Sequence, residues 1–547
     1  VCGTVNVPLD RQNPQNGEIA IFFELFTHVN SGPAESAILV NFGGPGNGTT
    51  DPVDTYDALS LFANNLDVHD LLLIDDRGRG FSATINCIPL QHGKGPFRDA
   101  VADCAAQLGQ ADSRFGTGDI AKDTDAVRAA LGYDKVDYYG LSYGGEDVSA
   151  YATRFGSHLR SIVLDSPAGT PHLDVFADLQ RAIQSESRMV RLACVYSPTC
   201  QVDHSNPIAE LDWLIGYIQG HPIEGQAYDA SGNLTDVRID EAGLLAYVIH
   251  NVTGHFVSTG ELVAAARSLR QGDTAPLLRL GAESYFSISG NDYGNPTSFS
   301  YGAAGATACV DSKSPWQWSA APPQRLAQYQ SEVAELSPGY FSPFSKAAAT
   351  GILYNILVAC TIWEKPTPSS PVASPGASYP QIPTLLLGGN MDDVVPLEET
   401  SKVAALFPKS TLVIIAESGH ETVSWSACAA SLASQFIETM RVGDVRCTMT
   451  PETVYPAVGR FPVVASGARP ADIDPAGHNQ VGVGERKAVT VAVAAAVDAL
   501  QRSAIGSGSD HCLRSGLFTT TFTQSRWTST LTNCSFTTDV SVTGTVV

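Results

Sequence analysis

Val136-Asp137-Tyr138-Tyr139-Gly140-Leu141-Ser142-Tyr143-Gly144 is the stretch on which the reading of the fold turns. Val136–Tyr139 reads as a short buried strand and Tyr143–Phe155 carries a helical pattern, so Ser142 stands in the turn between them. Glycines on both sides let the backbone turn tightly and leave the hydroxyl exposed at the carboxyl end of the strand. Gly-x-Ser-x-Gly occurs nowhere else in the chain, but with 49 glycines the pentapeptide alone is weak. The strand–turn–helix setting is what separates it from a chance glycine turn.

Working outward, Ile19–Phe26, Ala37–Val40, Leu71–Ile74 and Ser161–Leu164 are further short apolar runs ending in Gly, Asp or Ser, and Ile120–Leu131 is helical in pattern. This alternation predicts a mostly parallel sheet covered by helices. From about residue 170 to 365 the strand rhythm gives way to helical patterns and loops. A Pro/Ser-rich connector follows, and Thr384–Leu387 and Thr411–Ile415 then resume the buried-strand pattern. The middle block therefore reads as a mainly helical cap inserted into one sheet, before the strand that carries the acid described below. Predicted boundaries are 1–169 and 379–450 for the two halves of the core, 170–378 for the cap and 451–547 for a C-terminal extension. In the extension, Glu485–Arg502 has Val489, Val493, Val497 and Leu500 at helical spacing. Leu517–Thr523, Trp527–Thr532 and Phe536–Val542 read as a small β-meander.

A serine nucleophile needs donors for the oxyanion it creates. Asn41-Phe42-Gly43-Gly44-Pro45-Gly46-Asn47-Gly48 follows the strand Ala37–Val40, and side-chain-free residues let amides approach a developing charge. Gly44 is the best candidate there, and the Tyr143 amide is the second donor. No Lys-Ser/Thr follows the loop, which argues against a phosphate cradle. His420 comes just after the strand Thr411–Ile415, in Glu417-Ser418-Gly419-His420. For the acid that would orient it, position after a strand leaves Asp392, Asp393 and Asp165 open.

Bulk properties narrow the setting. The net charge is −23, from 56 acidic against 33 basic residues, which disfavours nucleic acid as a partner. No apolar run reaches membrane-spanning length. Eleven cysteines contain no C-x-x-C and no zinc spacing. Ten of them fall into neighbouring pairs, as disulfides of an exported protein do, leaving Cys2 over. No metal or cofactor is called for, and a secreted monomer is expected.

These residues resemble the secreted tripeptidyl-aminopeptidase and proline-iminopeptidase branch of the α/β-hydrolases. The resemblance runs through Cys2–Asp10, Asn41–Gly48, Asp76-Arg77-Gly78-Arg79-Gly80-Phe81-Ser82, Gly140–Gly144 and Cys309-Val310-Asp311. It continues through Cys360-Thr361-Ile362-Trp363, the Asp392 and His420 segments, and Cys428 with Cys447. It implies an α/β-hydrolase fold, a Ser142–His420–Asp392 triad and a serine exopeptidase acting near a free amino end, with a carboxylesterase as the rival. The acid matches Asp392 because it stands four residues before Pro396. Proximity in sequence, with the resemblance for the inner pairs, gives disulfides 87–104, 194–200, 309–360, 428–447 and 512–534. Gly145-Glu146-Asp147 departs from the branch, which carries neutral residues there. An exopeptidase must meet a terminal ammonium with a carboxylate. Glu146, Glu186, Glu283 and Asp311 are the candidates for that role.

Overall fold

The computed structural model describes the chain except residues 170–173, 196, 198–205, 230–231, 251–255, 284–293, 354–358, 364–369, 375, 450–458, 475, 479, 505–509 and 524–525. Among the described residues ten strands precede the tail: β1 (Cys2–Pro8), β2 (Glu18–Phe26), β3 (Ala37–Asn41), β4 (Asp70–Ile74), β5 (Val136–Leu141), β6 (Leu159–Asp165), β7 (Ile223–Tyr228), β8 (Leu234–Ile239), β9 (Thr384–Gly389) and β10 (Ser410–Ile415). Eight of them form one sheet in the order β1-β2-β4-β3-β5-β6-β9-β10. From β4 to β10 every pairing is parallel, and β2 runs antiparallel to both of its neighbours.

Alternation along the strands sends side chains to two buried faces, as period two requires. Ala37, Leu39, Leu72, Tyr138, Ile162 and Leu386 join one core with Val127, Val148 and Tyr151 from the helices Thr117–Ala130 and Gly144–Phe155. Ile38, Val40, Leu73, Tyr139, Val163 and Leu387 join the other, with Phe62 and the helix Ala427–Thr439. The continuous apolar runs in the sequence are the consequence of burial on both faces.

Internal contacts divide the chain into two units: Val1–Ser185, Ser289–Ser342 and Ala349–Glu452 form one, and Glu186–Ile288, Pro343–Ala348 and Thr453–Val547 the other. This differs from the expected boundaries, because much of the expected cap groups with the sheet. The helix Tyr301–Asp311 buries Ala303, Ala306 and Cys309 in the first sheet core. Gly302 packs so closely on the Cys87–Cys104 sulfurs that a Cβ would stand 3.2 Å from one of them. Disulfides join Cys87–Cys104, Cys309–Cys360 and Cys428–Cys447 in this unit and Cys512–Cys534 in the other. The expected Cys194–Cys200 pair includes Cys200, which lies outside the described residues. Cys2 is a free, exposed thiol.

The second unit departs from expectation in a hairpin and in the third strand of its tail. A hairpin, β7 with β8, stands where only helices and loops were read. The tail helix expected from the spacing is Val483–Ala504, and its valine stripe faces outward: Val489 is 50% and Val493 56% exposed. Its inward face is Val491, Ala495, Ala496 and Ala499, whose small side chains let it lie close to Phe518 and Leu531. The meander is β11 (Ser515–Thr523), β12 (Arg526–Ser535) and β13 (Val542–Val546). Its third strand therefore starts where the expected one ends. Residues 536–541 leave the ladder because Thr538 N–H donates to Val463 O and Asp539 accepts from Ala465 N–H.

A buried ion cluster fixes the tail helix within this unit. Arg502 donates to Glu283 at 2.6 Å and to Glu261, and Arg279 grips Asp498 through two bonds of 2.7 and 2.9 Å. Glu283 is thus spent on structure. Removing one partner of such a pair strands buried charge, so Arg502→Ala is expected to cost about 3–5 kcal/mol in a thermal or denaturant unfolding measurement.

Candidate active site

Strand register brings the candidate residues to one edge. Asn41 pairs with Gly140, Leu141 with Asp165, Asp165 with Leu387, and Leu387 with Val413. The loops after β3, β4, β5, β6, β9 and β10 therefore all leave the sheet together at its carboxyl end, where open parallel sheets place their ligands. Ser142 follows β5 with φ +54°, a conformation a non-glycine residue holds only where the surroundings enforce it. The enforcing contacts are at hand. Ser142 N–H donates to Asp165 O at 3.0 Å, and its carbonyl accepts from Gly145 at 2.9 Å and Ala168 at 2.8 Å.

The glycine loop lies against this turn. A Cβ on Gly43 would stand 2.5 Å from Leu141 O and 2.8 Å from Tyr143 N, so only glycine fits. Gly43 and Gly44 both have positive φ, +76° and +111°. The Gly43 amide is taken by Asn41 Oδ1 at 2.8 Å. Among the described residues, neither the Gly44 nor the Tyr143 amide donates to the protein. Both amides thus remain available for the oxyanion role expected of them.

His420 Nδ1 lies 2.9 Å from Asp392 Oδ2, and the other oxygen of Asp392 accepts from Val395 N–H at 2.8 Å. Burial lowers the imidazolium's stability, but Asp392, with Glu421 and Asp165 behind it, outweighs that and leaves His420 above its ordinary value. Asp165, the acid weighed from the earlier strand, is engaged elsewhere. It accepts from Thr422 N–H at 3.0 Å, Thr422 Oγ1 at 2.7 Å and Val423 N–H at 3.0 Å, pinning the segment that follows His420. Asp393 is buried beside Asp392.

Behind these groups lies a buried network of which sequence reading saw the pieces but not the assembly. Asn41 Nδ2 reaches Asp76 at 3.1 Å and Asp147 at 3.2 Å, and Arg79 pairs with Asp76 at 2.6 Å. Arg77 fixes the same loop through two bonds to Asp123, of 2.6 and 2.8 Å. Asp311 accepts from Thr117 N–H at 2.8 Å and from the Tyr143 hydroxyl at 3.1 Å, so it anchors the ring of the residue whose amide faces the site. Burial pushes Asp311 up to about 6 despite these bonds. Glu146 is fully buried, and among the described residues neither carboxyl oxygen has a hydrogen-bond partner. Burial, then the charges of Asp311, Asp147 and Asp178, hold it well above the usual carboxylate range. Glu186 and Glu283 belong to the second unit. Among the described residues no cluster of His, Cys, Asp and Glu could hold a metal, and no helix is long and apolar enough to cross a membrane.

The family model described as "alpha/beta hydrolase fold" matches residues 37–188, and that described as "TAP-like protein" matches 345–447. By its sheet topology and by these matches the chain has the α/β-hydrolase fold. More particularly, it is similar to tripeptidyl aminopeptidase of Streptomyces lividans, 32% identical over 186 residues, 30% of this chain and 35% of that protein. It is also similar to serine protease Hip1 of Mycobacterium tuberculosis, 31% identical over 208 residues, 33% of this chain and 38% of that one. Carboxylesterase B of the same organism is 26% identical over 400 residues, 68% of this chain and 71% of that one. The chain thus spans about a third of the length of the first two relatives.

Asp392→Asn is expected to lower turnover by on the order of 10⁴ with little change in substrate affinity, whereas Asp165→Asn retains far more activity. Turnover needs neutral His420, so the acidic limb of kcat/KM is expected above the ordinary histidine value of about 6.5. Asp392→Asn removes the charge that raises His420, and the limb moves to lower pH. Initial rates across a pH series read both effects.

Proposed function

We propose that the chain is an exported serine exopeptidase that cleaves peptides near a free amino end through an acyl-enzyme. Ser142 attacks the carbonyl carbon, and His420 takes its proton and returns it to the leaving amine. Asp392 holds the imidazole in the tautomer with Nδ1 protonated and stabilises the imidazolium. The Gly44 and Tyr143 amides hold the oxyanion. Water then repeats the cycle on the ester. The observation that carries this is the 2.9 Å His420–Asp392 pair in the segments that leave β9 and β10, at the same edge as the strained Ser142. The relatives named as tripeptidyl aminopeptidase and serine protease, with the TAP-like match, support a peptide substrate. The disulfides support export.

A carboxylesterase is the second reading, favoured by the longer match to a relative of that name. The same triad cleaves both bonds, so substrates must decide. A panel of free-amine peptide anilides, their N-acetylated forms and short-chain esters separates the two. The exopeptidase reading expects kcat/KM to fall at least about 30-fold on acetylation, since the ion pair between the terminal ammonium and an enzyme carboxylate is lost. Equal rates on free and acetylated peptides, with faster turnover of simple esters, would overturn it.

A further inference from the structure

We propose that Glu146 is the carboxylate that binds a primary ammonium of the substrate; this rests on the exopeptidase reading. Four acids could have taken the role, and their surroundings separate them. Glu283 is neutralised by Arg502, and Asp311 is committed to Thr117 and Tyr143. Glu186 is already engaged in an interaction of its own. Glu146 alone among the four is within one helical turn of Ser142, fully buried, and without a hydrogen-bond partner among the described residues.

Its placement fits the task. Ala168 N–H donates to the Ser142 carbonyl, so the segment leaving β6 wraps the nucleophile turn. Glu146 is wedged between that turn and this segment: a Cβ on Gly169 would stand 2.6 Å from Glu146 Cγ. The charged groups that act on its carboxyl are all acidic, Asp147 on its own helix, Asp311 on Tyr301–Asp311 and Asp178 on Val175–Val195, and the neutral hydroxyls of Tyr143 and Tyr379 also lie in its field. Arg79 pairs with Asp76 and comes within 3.8 Å of Asp147, and so is held away from Glu146 by two other carboxylates. A buried acid in a negative field stays protonated until a cation arrives. An ammonium would be drawn by that whole field and would replace the proton. A structural reading is open, since an acid in a helix's first turn is favoured by the dipole, but that gain is small beside the cost of a buried carboxyl with no hydrogen bond.

The ammonium can come from the substrate's amino end or from a lysine side chain, and kcat/KM distinguishes them. Wild type, Glu146→Gln and Glu146→Asp are compared on peptide anilides with a free amino end, N-acetylated, and N-acetylated with lysine beside the scissile bond. Gln has the shape of the protonated acid, so it opens no cavity. Wild type is expected to prefer the cationic substrate at least about 30-fold, Gln to reduce this below about threefold, and Asp to keep more of it than Gln. Loss confined to the lysine substrates supports the site and assigns its cation to the side chain. A preference retained in full by Gln overturns the assignment while leaving the exopeptidase reading intact. A wild type indifferent to every cation overturns the exopeptidase reading, and the proposal falls with it. If the variants do not fold, calorimetry on wild type decides. A free-amine tripeptide titrated in buffers of different ionisation heat should release a proton, and its N-acetylated form should not. No proton release overturns the proposal.

Discussion

The strand register at the carboxyl edge is the constraint on which the site depends. Asn41, Gly140, Leu141, Asp165, Leu387 and Val413 follow one another across β3, β5, β6, β9 and β10. Because the strands are parallel and end nearly level, every loop that leaves them opens on the same side. A slip of one residue in any pair would turn a strand's side chains to the opposite core and carry its loop away. The two apolar layers that enforce the register are therefore as much part of the chemistry as Ser142. They hold Ser142 in a backbone conformation it would not otherwise keep.

Beneath the edge, the structure concentrates buried carboxyls and gives them few cations. Asp76 and Asp147 share Arg79, and Asp311 leans on hydrogen bonds from Thr117 and Tyr143. Such a network is stable only where each member is met by a donor or carries a proton. Its reward is position. Asn41 ties β3 to the loop after β4 and to the nucleophile's helix, while its Oδ1 takes the Gly43 amide and so sets the glycine loop. Asp165 does the same for His420 through Thr422 and Val423. Acids on neighbouring strands thus have different tasks: one orients the imidazole and the other fixes the chain that carries it.

Much of this was legible in the residues. Buried parallel strands are continuous apolar runs, and each was followed by the punctuation that a functional edge needs, so the sheet and the placement of Ser142, Asp392 and His420 could be read in order. What could not be read depends on contacts far apart in sequence. Nothing local says that Asp76, Arg79 and Asp147 meet through Asn41, or that Asp311 holds Tyr143. The valine stripe Val489, Val493, Val497 shows the same limit. Periodicity finds a stripe, but which face turns inward was decided by close packing of alanines and by the buried pair of Arg279 with Asp498. The weakly alternating hairpin Ile223–Tyr228 with Leu234–Ile239 carried too little apolar signal to stand out from its helical surroundings.

The central claim is that Ser142 is an activated nucleophile, and one measurement addresses it directly. The protein is treated with a small fluorophosphonate, digested and mapped by mass spectrometry, beside a His420→Ala variant treated in the same way. The account predicts one adduct, on the Ser142 hydroxyl, formed rapidly in the wild type and far more slowly without the histidine. An unlabelled Ser142, or labelling that proceeds equally fast without His420, would contradict it.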